Sequence, residues 1–466
     1  MKSLEESVLA IRSPRGRMLP LILKFALPSV LSAAVIALYS LADAYFVSSL
    51  GKEAGAAVGV SFAIQALLQA VGYTFGIGGG VLISRSLGAK DIHAAARYAG
   101  SAMTFATGTG CAILLLGLGF RAPLMRLLGA TDSIYPLALS YATNLLLSAP
   151  FTTLGFVLSQ LLRAEGRVFD STFGLTVGSA VNCILDPICI TRLGMGVAGA
   201  SFATLISQAV STLLLLLPYL RKKSCLPLFE DTHRPAFGTL PKILYRGMPS
   251  FFRQGLIVLA TVILNRTAAV WSDAAVSALS TVTRLFLLAF SLCLGVGQGM
   301  MPIVAYNDGQ GRSENVRRAY VLSLWLGVAL SFVASIPLLI FSDALIALFQ
   351  SSPEATAIGS IALRAQAAVL ILHAPITCTI FLMQALGRGF RATLIACARQ
   401  GIFFVPLIVF IPRHFGVEWV IFVQPLADLL TFLLTVPFMV SFFRQTKEKV
   451  LCDGKTPCGN TIKDNS

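Results

Sequence analysis

Charge is scarce in this chain of 466 residues: 12% of it is Asp, Glu, Lys or Arg, while 56% is hydrophobic. An ordinary soluble domain carries about 25% charged residues, and a soluble chain of this length would need the polar surface of about three such domains. A water-soluble globule is excluded. The four histidines never stand at ligand spacing from one another, and the nine cysteines form no CxxC, so the cysteines read as small core residues. No GxxxxGK[ST] phosphate loop occurs, which removes ATP hydrolysis by the chain itself, and HExxH and GxSxG are missing too. The residue alternation of membrane β-strands is also absent.

What is present instead is a succession of apolar runs, each long enough to cross roughly 30 Å of hydrocarbon as a helix. Twelve spans are predicted, at 20–47, 55–83, 95–119, 134–160, 169–190, 197–220, 243–268, 275–303, 318–341, 358–385, 392–412 and 417–443. The first is too long for a signal-peptide core and is expected to stay as a helix, while the tail after Arg444 is expected to be disordered. With the amino terminus inside, cytoplasmic segments hold 26 Lys and Arg, counting Arg163 and Arg167 in one loop, and external loops hold 6. Both termini are therefore placed in the cytoplasm. The net charge of +15 thus fits a membrane face better than nucleic acid.

The chain also repeats itself at a constant offset, the one that carries Pro28 and Ser29 onto Pro249 and Ser250. At that same offset Gly76 and Gly78 match Gly297 and Gly299, and Gly88 matches Gly309. Ala164, Gly166 and Arg167 match Ala385, Gly387 and Arg388. Six spans per repeat bring both halves into the membrane from the same side, as a parallel repeat about the membrane normal. The expected architecture is an all-α membrane protein of twelve transmembrane helices in two six-helix bundles. Its parts are a cytoplasmic tail (1–19), a bundle (20–220), a cytoplasmic linker (221–242), a second bundle (243–443) and a second tail (444–466). Two bundles rocking about a central cavity suit a transporter. The glycines at 76, 78, 79 and 80 follow an apolar span and read as close helix packing, not a nucleotide loop.

Ionisable groups at membrane depth are costly and usually functional. Asp43, Asp186 and Asp428 are the carboxylates clearly inside spans. Asp43 and Asp186 each lie about five residues from the outer end of a span, and Thr204 lies at matching depth. Asn182 precedes Asp186 by four and shares its helix face, and Pro187 is expected to break the helix by freeing the Cys183 carbonyl. Such an oxygen cluster suits a hard cation, and paired carboxylates also suit a proton. His373 reads as a hydrogen-bonded core histidine. Arg284 is predicted to pair with Asp428 on matching depth, with Arg253 as the alternative partner.

The segments LADAYFVSSLG (41–51), GIGGGVLISRSLGAKD (76–91), LLRAEGR (161–167), NCILDP (182–187), MPSFFRQ (248–254) and GVGQGMMPIVAYNDGQG (295–311) resemble the multidrug and toxin extrusion (MATE) family, in its bacterial DinF-like exporter branch. The resemblance covers 20–445. It implies a bacterial inner-membrane antiporter, expected to be monomeric, that exports organic, cationic and lipophilic drugs or toxins in exchange for H⁺ or Na⁺, with no other cofactor. It also implies that Asp43, Asn182, Asp186 and Thr204 form the cation-coupling site, holding a metal ion only if the coupling ion is Na⁺. Some family members carry acidic residues in the seventh, eighth or tenth span, whereas Arg253 and Arg284 occupy the seventh and eighth here. A lipid-linked saccharide flippase of the same superfamily is the alternative, and an intramembrane enzyme a more distant one.

Overall fold

A computed structural model describes residues 18–48, 50–226, 236–350 and 352–453, with side chains left out at 39–48, 52 and 449–453. Twelve spans appear in it, counting one bent helix pair as a single span. They are α1 (Met18–Ser48), α2 (Lys52–Gly88), α3 (Ile92–Gly119), α4 (Tyr135–Leu147 and Ala149–Ala164), α5 (Val168–Arg192) and α6 (Gly196–Leu220). The second half adds α7 (Phe237–Trp271), α8 (Asp273–Gly309), α9 (Ser313–Ile340), α10 (Pro353–Ala385), α11 (Gly389–Phe415) and α12 (Val420–Asp453). No strand occurs among the described residues.

The last helix corrects one expectation in part, since it continues past Arg444 to Asp453; the rest of the tail that was expected to be disordered, 454–466, lies outside the described residues. Residues 445–449 are mostly good helix formers, the Thr446 side chain is buried, and Arg388 Nη2 donates to Gln445 Oε1 at 2.6 Å.

Local breaks recur at equivalent places. α4 bends by 48° between Leu147 and Ala149, just ahead of Pro150, whose missing N–H and ring interrupt the hydrogen-bond ladder. α10 passes through a 3₁₀ turn at Leu370–Leu372, ahead of Pro375, at the place where the repeat sets the equivalent of the α4 bend. Two short helices, Arg121–Leu127 and Ser342–Ala347, also start at positions matched by the repeat.

The halves meet where α2 runs against α7 and α1 against α8. A methyl group on Gly88 would overlap the Tyr306 carbonyl oxygen, and one on Gly309 would overlap that of Arg85. Gly78 stands equally close to Ile243, so the glycine run of α2 serves helix packing, with backbones in contact. These contacts all lie toward the end of the molecule that carries Met18 and Gly88. There a single apolar core runs through both halves, from Ile22, Phe25 and Val81 to Val296, Met300 and Tyr320. At the other end the core is split. One cluster around Met125, Tyr141 and Leu145 belongs to the first half, and another around Leu279, Phe286 and Leu363 belongs to the second. The halves are joined at one end and separately packed at the other.

Candidate functional site

α5 and α6 bring three of the predicted residues together. Asn182, Asp186 and Thr204 are all buried. The hydrogen-bonding pattern orients the Asn182 amide so that Nδ2 donates to Asp186 Oδ2 at 3.0 Å and its oxygen accepts the Thr204 backbone N–H at 3.3 Å. Thr204 Oγ1 donates to the Ala200 carbonyl at 3.1 Å, which leaves its oxygen able to accept. Asp43 belongs to α1, but its side chain lies outside the described residues. A cavity lined by Gln69, Phe156, Ser179, Asn182, Ser207 and Ser211 opens beside the cluster, and among the described residues its wall contains no charged one.

The α-helix ends at Pro187, where the break was expected, yet the span goes on. Regular α-geometry reaches Pro187 and continues as a π turn at Ile188–Arg192, with Thr191 Oγ1 donating to the Pro187 carbonyl. The widened turn follows the proline within one span, a device that recurs at functional sites. Among the described residues no three His, Cys, Asp or Glu side chains converge. Asp186 with neutral amide and hydroxyl oxygens is a donor set for a proton or a monovalent hard cation.

The second half is arranged differently. Asp428 of α12 is fully buried and accepts from Arg399 Nε at 2.7 Å and Gln424 Nε2 at 3.0 Å, and its Oδ2 lies 3.0 Å from His373 Nε2. The predicted Arg284–Asp428 pair is therefore replaced by Arg399 and His373, and Arg253 does not hold this carboxylate either. Depth matching along straight helices missed the reason. Arg399 sits on a second π turn, Ala398–Phe403, shortly before Pro406 of α11. That turn belongs to the interior of the bundle, and Arg399 lies with its guanidinium carbon 5.0 Å from the Phe290 ring centre. His373 meets Phe286 and Phe290 edge to face, so it is the hydrogen-bonded core histidine that was expected. Gln424, one helical turn before Asp428, was the signal that this carboxylate has local help.

Arg163 corrects the count of cytoplasmic charges. It is buried in α4, donating to Ser171 Oγ at 3.1 Å, to Ser32 Oγ at 3.3 Å and to Gln298 Oε1 of α8. The Gln298 bond crosses between halves.

A family model, MatE, matches residues 28–188 and again 249–410. The chain belongs to the MatE family. Its two matched segments start at Pro28 and Pro249, the pair that defines the internal repeat. The MatE chain is 27% identical over 408 residues to the Multidrug export protein MepA of Staphylococcus haemolyticus, covering 87% of this chain and 89% of that one. It is also 27% identical over 407 residues to MepA of Staphylococcus aureus strain N315, with the same coverage. Among solved structures, a MATE protein in the straight conformation superposes with a TM-score of 0.89 at 24% identity, covering 95% of this chain and 99% of that one. A MOP superfamily transporter from Pyrococcus furiosus, described by a binding pocket of reverse polarity, superposes with a TM-score of 0.87 at 24% identity, covering 97% and 99%. The MatE protein is thus a multi-pass membrane transporter and not an enzyme.

Proposed function

We propose that this protein is a secondary active antiporter that moves drug-like organic compounds out of the cell in exchange for H⁺ or Na⁺. Its coupling site is Asp43, Asn182, Asp186 and Thr204. The observation that carries the reading is a buried carboxylate held by Asn182 beside Thr204, next to a cavity, in a molecule whose halves share a core at one end only. The Multidrug export protein relatives favour an exporter over the lipid-linked saccharide flippase. With both termini in the cytoplasm, as the positive-inside count supports, the shared core seals the cytoplasmic end and the split end faces outward.

In that state the ion enters from outside and binds between α1, α5 and α6. Binding draws these helices together and shrinks the cavity around the cargo. The ion drives release by its difference in affinity for the two states, since an ion bound equally to both shifts nothing. Reconstituted protein should move dye on an imposed pH or sodium gradient, and the effective gradient names the ion. A sodium site should weaken when Thr204 is replaced by Val, whereas a proton site should depend far less on that hydroxyl. Efflux needing neither gradient, or undiminished in Asp186→Asn, would overturn the reading.

A further inference from the structure

The second half contains its own cavity, with Arg253, Phe290, His373, Thr377, Arg399 and Gln400 in its wall. Its charge balance is positive. Among the described residues, Asp428 is the only carboxylate within ion-pair distance of any of these side chains, and Arg399, His373 and Gln424 already share it. Arg253 of α7 is half-buried, and its side-chain hydrogen-bond partner among the described residues is the neutral Gln254 Oε1 at 3.3 Å. A guanidinium at membrane depth facing no carboxylate among the described residues is costly and calls for a counter-charge.

A second observation points to a ligand. His373 Nδ1 and Gln400 Oε1 are buried in this wall without a hydrogen-bond partner among the described residues. Buried polar atoms are ordinarily satisfied, and an anion meets these two only as donors: the Gln400 amide turned to present Nε2, and His373 as an imidazolium with Nδ1–H free while Nε2–H stays on Asp428. Ile257, Phe290, Ile376 and Phe381 line the remainder of the cavity and suit an apolar body. A cationic cargo, which the family resemblance implies, would meet two guanidinium groups here.

We infer that this cavity is a subsite for an anionic group, such as a carboxylate, sulfonate or phosphate, borne on a lipophilic compound, with Arg253 as the charge partner. The inference deepens the exporter reading and rests on it only for the direction of movement. Either an organic acid or an anionic lipid headgroup carries this chemistry. The test is equilibrium binding of carboxyfluorescein and of the cation rhodamine 6G to purified protein in phosphatidylcholine nanodiscs, read by fluorescence anisotropy. Carboxyfluorescein should bind, and Arg253→Gln should weaken it about tenfold or more. Arg253→Lys, which keeps the charge and reports on folding, should retain most of the affinity, while rhodamine 6G should not weaken in either variant. Adding phosphatidylglycerol separates the sources: dye binding that persists assigns the site to organic acids, and dye displaced in the wild type assigns it to a lipid headgroup. Wild-type protein that ignores carboxyfluorescein in phosphatidylcholine, or binds it undiminished in Arg253→Gln, would overturn the inference. Intact binding without gradient-driven efflux would sink the exporter reading and leave the subsite standing.

Discussion

The two halves share a backbone plan and differ in the charge that lines their cavities. The first half places Asn182, Asp186 and Thr204 beside a cavity with no charged wall residue among those described, while the second lines its cavity with Arg253, Arg399 and His373. Equivalent positions show the divergence directly: Ser32 stands where the second half has Arg253, and Thr152 where it has His373. Duplication of a six-helix unit preserved the features that set backbone geometry, such as Pro28 and Pro249 or Gly88 and Gly309. Interior polar groups were free to change because each needs only its own partner. The lesson is one scaffold with two chemistries, a buried carboxylate among amide and hydroxyl groups in one half and a basic pocket in the other.

That contrast can be broken at several points. The largest effect is expected at the first-half carboxylates: Asp43→Asn or Asp186→Asn should reduce gradient-driven efflux to the level of protein-free liposomes, with the protein still folded by size-exclusion chromatography. If both variants export at the wild-type rate, the coupling site is elsewhere. Next in size, Asp428→Ala strands Arg399 and His373 in the interior, and removing one partner from a buried pair costs roughly 3–5 kcal/mol. A melting-temperature cycle should show Arg399 and Asp428 coupled by more than about 0.5 kcal/mol, while Arg284 and Asp428 add independently.

A smaller effect is expected at the junction of the halves. Arg163→Ala removes three hydrogen bonds, one of them to Gln298 across the interface, so hydrogen exchange of α8 around Gln298 should quicken. Its repeat mate Gln384 bonds within its own half, to the Arg246 carbonyl and Ser250 Oγ, and Gln384→Ala should leave that exchange unchanged. Equal effects in both variants would erase this distinction between the halves.

The smallest effect concerns Glu165, just past the end of α4, where the repeat has Leu386. Its carboxylate accepts from Tyr219 Oη at 2.8 Å and Ser224 Oγ at 2.6 Å, tying α6 and the start of the linker to α4. Burial pushes this carboxyl above the usual carboxylate range, against the pull of its hydrogen bonds to Ser224, Tyr219 and Cys225. A raised folded value means that the stabilising contribution is complete below the unfolded pKa and is lost as pH rises through the folded one. Melting temperature should therefore fall as pH is raised from about 4 toward neutrality, and Glu165→Gln should flatten that slope. A slope unchanged in Glu165→Gln would assign it to other groups.

The sequence by itself determined the spans, the duplication and the pairing of Asn182 with Asp186. Hydrophobic length is a local property, and every predicted span falls on a helix, with the far end of the last helix the largest departure. A constant offset is visible without any coordinates. Asn182 and Asp186 were legible together because four residues separate them on one helix, so their shared face follows from helix geometry alone. Only the tertiary structure decided the rest. Arg399 reaches Asp428 because a π turn rotates one stretch of α11, and no residue pattern announces the wider turn. Arg163 looked like a loop charge, since its burial depends on Ser32, Ser171 and Gln298 from three other helices. Whether a polar side chain in a membrane protein is solvated, paired or sealed is set by what neighbouring helices present to it, and that is information the one-dimensional chain does not contain.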